Sequence, residues 1–179
     1  MKKALTLAFL VGCCLTAYGQ TMPAGADAAV WAKALKIHKK AIIVDGHNDV
    51  TGPLADEDLD LSTNTLGKYH RDGDPFHTDI ARLRASGITG EFFSIYVSGS
   101  TLRTGGSMRR AMDMIDATYR EVERHPGDLS MCTTAAEIRR AKKARKICVL
   151  MGIAGGYVIE NSLYALRNFY RPGIRYMTL

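Results

Sequence analysis

Several common signatures of enzyme chemistry are missing from this 179-residue chain. Its four cysteines include no Cys-x-x-Cys pattern, so nothing indicates a cysteine metal site or a dithiol redox centre. The Gly- and Ser-rich stretch over residues 98–107 lacks the Gly-Lys-Ser/Thr ending of a phosphate-binding loop. No Ser/His/Asp or Cys/His arrangement indicates a nucleophilic catalyst. The apolar run at residues 4–12 is too short to span a bilayer comfortably.

The first nineteen residues are typical of an export signal. Two lysines precede the short apolar core, and Ala17–Gly19 is a small-x-small cleavage site. Leu10–Cys13 also resembles a lipoprotein signal, in which Cys13 would be lipidated and would anchor the chain to a membrane. The second cysteine, Cys14, favours plain cleavage. Both interpretations predict an exported protein, periplasmic or extracellular, with a signal peptide over residues 1–19.

Composition and charge indicate a globular protein with little attraction for nucleic acid. Hydrophobic residues make up 46% of the chain and charged residues 23%. Removing residues 1–19 takes away two lysines and no acidic residue, which lowers the formal net charge from +6 to +4. Much of this charge lies in residues 139–146, which we interpret as the solvated C-terminal end of a helix. An exported chain also rarely meets nucleic acid, so we expect no such partner.

Two cysteines, Cys132 and Cys148, remain after cleavage. Export permits a disulfide between them. Cys148 lies in an apolar run, where a buried free thiol fits equally well. The sequence leaves their pairing open.

The most informative stretch is an apolar run that ends in His-x-Asp. Ala41–Val44 is typical of a buried strand, and alternation then turns His47 and Asp49 to the same side of the chain. The C-terminal ends of strands are where barrel and doubly wound enzymes keep their chemistry. An imidazole and a carboxylate suit zinc or a similar divalent metal. The simpler alternative is an Asx-type turn with a hydrogen-bonded histidine.

Strand and helix patterns alternate along the chain, which favours an α/β fold with a parallel sheet. After a spacer at residues 20–27 we predict helices at about 27–40, 78–83 and 134–145, and two more ending before Pro126 and Pro172. Predicted strands end at His47 and cover residues 87–97, 147–153 and 174–179. Residues 51–77 are polar and are predicted to form a long loop over the end of the first strand. The chain stops inside an apolar strand, so we expect it to be incomplete.

Four segments resemble the membrane (renal-type) dipeptidases, peptidase family M19. They are Val44–Asp49, Thr78–Val97, the Gly155-Gly156 pair and residues 162–179. The resemblance covers residues 28–179 and implies the N-terminal portion of a (β/α)₈ TIM-like barrel, with about its first four strands. It also implies a pair of zinc ions and the cleavage of dipeptides. Members of the family are often dimers, which leaves a homodimer open.

The resemblance also exposes departures from the family's metal site. His47 and Asp49 fall on ligands of one zinc ion. The family's glutamate before Gly-Gly bridges both zinc ions, and here that position is Ala154. The family's histidine after Gly-Gly is replaced by Tyr157, and its later histidines would follow Leu179. The resemblance therefore implies at most one partial zinc site.

A partial site predicts weak function. Two dications held together without a bridging carboxylate repel each other, and a catalytic zinc usually has three protein ligands. We expect this chain alone to bind zinc weakly and to hydrolyse dipeptides poorly or not at all. The leading hypothesis is a zinc dipeptidase present as an incomplete chain. Ala154 favours a non-catalytic binding or scaffold relative instead, and the chain's end favours a truncated copy.

Other titratable residues carry weaker expectations. Glu91 stands where the family often has Gln, and we expect it to pair with an arginine; the alternative is a charge near the metal. His70 and His77 are expected to face solvent. Glu160 is too far along the chain to replace the bridging glutamate without breaking the Gly-Gly match. The acidic cluster at residues 56–58 is expected to be a solvated part of the loop.

Overall fold

The computed structural model describes residues 21–179 of the chain. The predicted signal peptide and Cys13 lie outside the described residues. Within residues 21–179, no helix is both long and apolar enough to cross a membrane.

Helices and strands alternate through the described residues, as the sequence predicts. The helices are α1 (Ala28–Lys40), α2 (Thr51–Asp56), α3 (Ile80–Ser86), α4 (Thr101–Thr104), α5 (Ser107–Arg124), α6 (Ala135–Ala144) and α7 (Leu163–Tyr170). The strands are β1 (Val44–Asn48), β2 (Gly90–Tyr96), β3 (Leu129–Met131), β4 (Ile147–Ala154) and β5 (Ile174–Thr178). A 3₁₀ turn, Gly156–Ile159, follows β4.

All strand pairs of the sheet are parallel. β1 pairs with β2, and β2 pairs with β4 along its whole length. The other edge of β4 is shared, because β3 lies beside residues 147–149 and β5 beside residues 151–154. The path β1-β2-β4-β5 confirms the predicted parallel sheet with crossover helices, and the short β3 was not predicted.

Side-chain caps fix where several helices begin. A capping box of Thr134 and Glu137 stands at the start of α6, close to the predicted beginning of this helix, and satisfies two free backbone N–H groups. The helix predicted from about residue 78 begins two residues later, at Ile80, and Thr78 does not cap it. Asp79 caps this helix instead, by accepting a hydrogen bond from the Arg82 N–H at 2.8 Å. The helix ends at Gly87, whose φ of +78° suits a residue without a side chain.

The loop predicted over residues 51–77 is more ordered than its polarity suggests. It begins with α2, in which Pro53 sits in the first turn, where no N–H is needed for the helix. Asp56 and Asp58 of its acidic cluster are largely exposed, as predicted, and pair at the surface with Arg110 and Arg124. Glu57 is partly buried and pairs with His70. These pairs tie the segment to α5 and to its own far end.

The two faces of the sheet have different neighbours. Phe93 and Ile95 of β2 point to the face that packs against helices α2 and α5 and are fully buried. Phe92 alternates to the opposite face, with Leu150 and Gly152 of β4 at matching positions in the register. We call this second side the concave face, because Tyr176 of β5 reaches β1 across it.

Cys132 and Cys148 form a disulfide, which answers the question left open by the sequence. Their Cα atoms are 5.6 Å apart, a normal spacing for such a bond. Both cysteines are buried beside Leu150 and Ala141. The bond joins the end of β3 to the beginning of β4.

Candidate metal site

His47 and Asp49 come together as the sequence predicts. The Nε2 atom of His47 lies 3.2 Å and 3.3 Å from the two carboxylate oxygens of Asp49. Both side chains are more than half exposed, at 51% and 63%. They stand at the C-terminal end of β1, so a nitrogen and an oxygen ligand are presented to solvent at the edge where parallel-sheet enzymes bind substrates.

A β-bulge turns His47 to the concave face. Asp45 pairs with Glu91, but Asn48, three residues later, pairs with Phe93, only two residues after Glu91. Asp45 and Asn48 therefore share the helix-covered face, and the extra residue between them frees His47 from regular alternation. The Asp45 carboxylate accepts a hydrogen bond from the His47 backbone N–H at 3.2 Å.

Tyr176 of β5 crosses the concave face and reaches the same histidine. Its hydroxyl donates a hydrogen bond to the Gly46 carbonyl at 3.0 Å and lies 3.3 Å from Nδ1 of His47. Its ring is 5.1 Å from the ring of Phe92 and covers Gly152. In the order β1-β2-β4-β5, a tyrosine on β5 can touch β1 only if the sheet curves toward the side on which the tyrosine lies. This contact therefore shows that the face is concave. Sequence reasoning missed Tyr176, because a tyrosine in an apolar strand is usually read as core.

Burial raises the pKa of the Tyr176 phenol, and the nearby Asp49 carboxylate adds to the effect. The phenol therefore stays protonated at neutral pH and is available as a hydrogen-bond donor.

The bridging glutamate of the family's site is Ala154 here, and among the described residues no neighbouring side chain takes its place. Ala154 lies two residues beyond Gly152 on the same strand, and its methyl group offers no ligand atom. The Glu160 carboxylate accepts a hydrogen bond from the Met108 N–H at 3.2 Å. Tyr157 donates its hydroxyl to the Val97 carbonyl. Among residues 21–179, no third His, Cys, Asp or Glu gathers with the His/Asp pair around one point. The donor set therefore fits one metal ion with two protein ligands.

Two nearby histidines behave differently. His70 was expected to face solvent, and this is wrong: its Nδ1 lies 3.1 Å from the Glu57 carboxylate, and its ring packs 3.9 Å from that of Phe76. His77 is exposed, as predicted. Both line a small cavity of about 110 Å³ that Asp49 also borders.

A second group of potential ligands lies at the other end of the sheet. Asp60, Glu121 and His125 bring their ligand atoms within 4.8 Å of one another, and it is the one such group in the described part of the chain. His125 Nε2 lies 2.9 Å from Asp60 and 3.3 Å from Glu121, which also accepts the Leu61 N–H at 2.7 Å. Burial raises the pKa of Glu121, and that N–H opposes the rise. Because its members already satisfy one another, the group holds the polar segment against α5. Sequence reasoning missed it, since about 60 residues separate Asp60 from α5's end.

Glu91 does not pair with an arginine, so that expectation is wrong. Its side chain is fully buried on the helix-covered face, and neither carboxylate oxygen has a hydrogen-bond partner within the described residues. Burial raises the pKa of Glu91 to about 7; proximity to Asn48 lowers it somewhat, and the charge of Asp45 raises it. The position is too deep, and on the wrong face, to serve the His47 site.

A curved parallel sheet with crossover helices, and with polar ligands at the C-terminal ends of its strands, defines the class of TIM-barrel-like α/β proteins. Within this class the chain belongs to the membrane dipeptidase family, peptidase family M19, whose model matches residues 31–179.

Individual relatives agree with this assignment. Dipeptidase verJ of Clonostachys rogersoniana is 30% identical over 163 residues, which cover 83% of this chain and 40% of verJ. The fold resembles the crystal structure of dipeptidase AC, an M19 metallopeptidase, with a TM-score of 0.60 and 23% identity over 76% of this chain and 41% of that one. It also resembles a metallopeptidase from Rhodobacter sphaeroides liganded with a phosphinate mimic of L-Ala-D-Ala, with a TM-score of 0.59 and 22% identity over 76% and 44% of the two chains. The chain thus spans about two fifths of the length of these relatives.

Proposed function

We propose that this chain is the metal-binding N-terminal part of an exported, zinc-dependent dipeptidase. The observation that carries the proposal is the convergence of His47 and Asp49 at the C-terminal end of β1, in a chain of the M19 family. The export-type N-terminus supports a periplasmic or extracellular location. The relative that binds a phosphinate mimic of L-Ala-D-Ala supports a dipeptide as the substrate.

The roles of the two residues follow from their chemistry. His47 would supply a neutral nitrogen ligand, and Asp49 an oxygen ligand whose charge offsets that of the cation. Bound zinc would supply Lewis-acid chemistry, by polarising a peptide carbonyl and lowering the pKa of a water molecule. The exposure of both side chains leaves room for a dipeptide to approach from solvent.

Ala154 limits what this chain can do alone. With two protein ligands and no bridging carboxylate, we propose weak zinc binding and little or no dipeptide hydrolysis. The same residue supports a second candidate, a non-catalytic relative that uses the barrel as a binding or scaffold module. The two candidates differ in whether His47 and Asp49 bind metal at all.

Replacing His47 by alanine is expected to weaken zinc binding by at least about tenfold, because one of two protein ligands is lost. Isothermal titration of zinc into the full chain measures this effect. His77→Ala is the matched control, since His77 is exposed and lines the same small cavity as Asp49 but makes no hydrogen bond or ion pair with it within the described residues. Equal affinities for the wild-type protein and His47→Ala would exclude the proposed site. If the wild-type protein bound zinc more tightly than micromolar, the site could not be a partial one with only two protein ligands.

Ala154→Glu is expected to raise zinc affinity by about tenfold or more, because it adds a carboxylate to the concave face near the end of β4. Ala154→Gln is the control, since it has nearly the same shape without the charge. Zinc titrations of both variants give the comparison. If the glutamate variant binds zinc no better than the glutamine variant, residue 154 does not face the site.

A further inference from the structure

We propose that Tyr176 sets the tautomer of His47, so that Nδ1 carries the proton and Nε2 keeps its free lone pair for a metal ion. The role of Nε2 as a ligand rests on the proposed function. The tautomer itself rests on hydrogen bonds within this chain. Tyr176 would thus be a positioning residue for the metal site.

A tyrosine hydroxyl has one proton, and the Gly46 carbonyl, 3.0 Å away, can only accept it. Toward His47 Nδ1, at 3.3 Å, the same hydroxyl oxygen can then act only as an acceptor. The contact is favourable when Nδ1 carries a proton. In a neutral imidazole the proton on Nδ1 leaves Nε2 bare.

Asp49 acts in the opposite direction. Its carboxylate lies 3.2 Å from Nε2 and, in the absence of a cation, would accept a proton carried there. The two neighbours therefore compete for the tautomer of His47. A cation held between His47 and Asp49 uses the carboxylate itself, and the preference imposed by Tyr176 then favours binding. Ligand histidines commonly have their second nitrogen fixed in this way by a neighbouring acceptor.

The phenol is held in place by its surroundings. The ring packs 5.1 Å from the ring of Phe92, and a Cβ atom at Gly152 would overlap it. An interior strand position without a side chain is what allows the ring to lie flat across the sheet. These contacts point the hydroxyl at β1 instead of leaving it free to rotate into solvent.

A purely structural role for Tyr176, as a brace between β5 and β1, predicts something different. Loss of a brace would lower stability but would leave the proton of His47 where it was. Measuring which imidazole nitrogen of His47 carries the proton therefore distinguishes a positioning role of Tyr176 from a purely structural one.

The test uses the full chain, the variant Tyr176→Phe and the control Tyr119→Phe. The control removes a hydroxyl that also donates to a backbone carbonyl, that of Pro172 at 2.6 Å, but it lies on α5, on the helix-covered side of the sheet. Long-range ¹H–¹⁵N spectra of the metal-free protein at pH 8 report which imidazole nitrogen of His47 is protonated. Because the Asp49 carboxylate draws the proton toward Nε2 in the metal-free protein, the expected result is a difference: the Nδ1–H population is larger in the wild-type protein than in Tyr176→Phe and is unchanged in Tyr119→Phe.

Zinc titration supplies the second measurement. We expect Tyr176→Phe to weaken zinc binding by about tenfold and Tyr119→Phe to leave it unchanged. Two results overturn the inference: a wild-type protein in which no Nδ1–H tautomer of His47 is detected, or a Tyr176→Phe variant with unchanged tautomer populations. The wild-type spectrum decides even if the variant fails to fold. If the tautomer depends on Tyr176 but the wild-type protein binds no zinc, the tautomer inference holds and the proposed function fails.

Discussion

Replacing Glu91 by glutamine is expected to raise the free energy of unfolding by about 3 kcal/mol at pH 8 and to change it little at pH 4. The Glu91 carboxyl is fully buried and has no hydrogen-bond partner among the described residues. Glutamine has nearly the same shape and cannot ionise. This is one of the two largest effects that we expect from a small change in this chain.

The direction in which pH changes the free energy of unfolding follows from the direction of the Glu91 pKa shift. Burial, together with the charge of Asp45, raises the pKa of Glu91 from 4.5 to about 7, and Asn48 offsets part of the rise. Between these two pH values the folded protein binds more protons than the unfolded chain, so stability falls as pH rises. The stabilising contribution of the neutral carboxyl is complete below pH 4.5 and is lost above pH 7.

Urea unfolding of the wild-type protein and Glu91→Gln between pH 4 and pH 8 measures the effect. Glu123→Gln is the matched control, because Glu123 is exposed on α5. The control should follow the wild-type curve at every pH. Parallel pH curves for the wild-type protein and Glu91→Gln would show that Glu91 keeps its charge in the folded state.

Reducing the Cys132–Cys148 disulfide is expected to lower the free energy of unfolding by about 3 kcal/mol. The bond closes a loop between positions 16 residues apart. In the unfolded chain a crosslink of this length removes conformational entropy worth about 3 kcal/mol, which stabilises the folded state by the same amount. Both cysteines are buried in the cluster with Leu150, so reduction leaves the apolar packing in place. The comparison therefore isolates the effect of the crosslink.

Urea unfolding with and without a phosphine reductant provides the measurement, and peptide mapping after alkylation confirms the state of the two cysteines. The double variant Cys132→Ala/Cys148→Ala should be insensitive to reductant. An unchanged unfolding midpoint in fully reduced wild-type protein would mean that the crosslink does not stabilise the fold.

The pairing of His47 with Asp49 was predictable from the sequence, although for an incomplete reason. Simple alternation gives the right partners, because Asp49 follows the strand and turns toward the histidine. The side of the sheet on which they lie depends on the bulge between Asp45 and Asn48, for which Gly46, a glycine inside the strand, is the one hint in the sequence. A bulge is decided by pairing with a neighbouring strand, and one strand's residues do not specify it.

Long-range contacts were beyond a reading of local pattern. Tyr176 and His47 are 129 residues apart, and only the curvature of the sheet brings them together. One available hint was Gly152, a residue without a side chain in the middle of an apolar strand. Glu91 posed a different difficulty, since a buried acid is usually paired and this one is not.

Element boundaries failed where the segments were short. The three residues of β3 are too few to show a period, and they follow directly after Pro126-Gly127. Helix α2 contains Gly52 and Pro53, which resemble a turn when tertiary contacts are unknown. The long helix α5 and the apolar strand β4 were recognised because their patterns repeat over many residues.

The hydroxyl contact between Tyr176 and β1 also has a consequence for the order of assembly. It joins positions 130 residues apart, so most of the chain must be ordered before it can form, and closing so large a loop is entropically costly. A nascent chain that has emerged only as far as β4 already contains His47 and Asp49 but lacks the residue that orients the imidazole. Efficient capture of a metal ion at this pair would then follow the docking of β5 beside β4, and a chain that has not yet formed that contact would bind the ion less well.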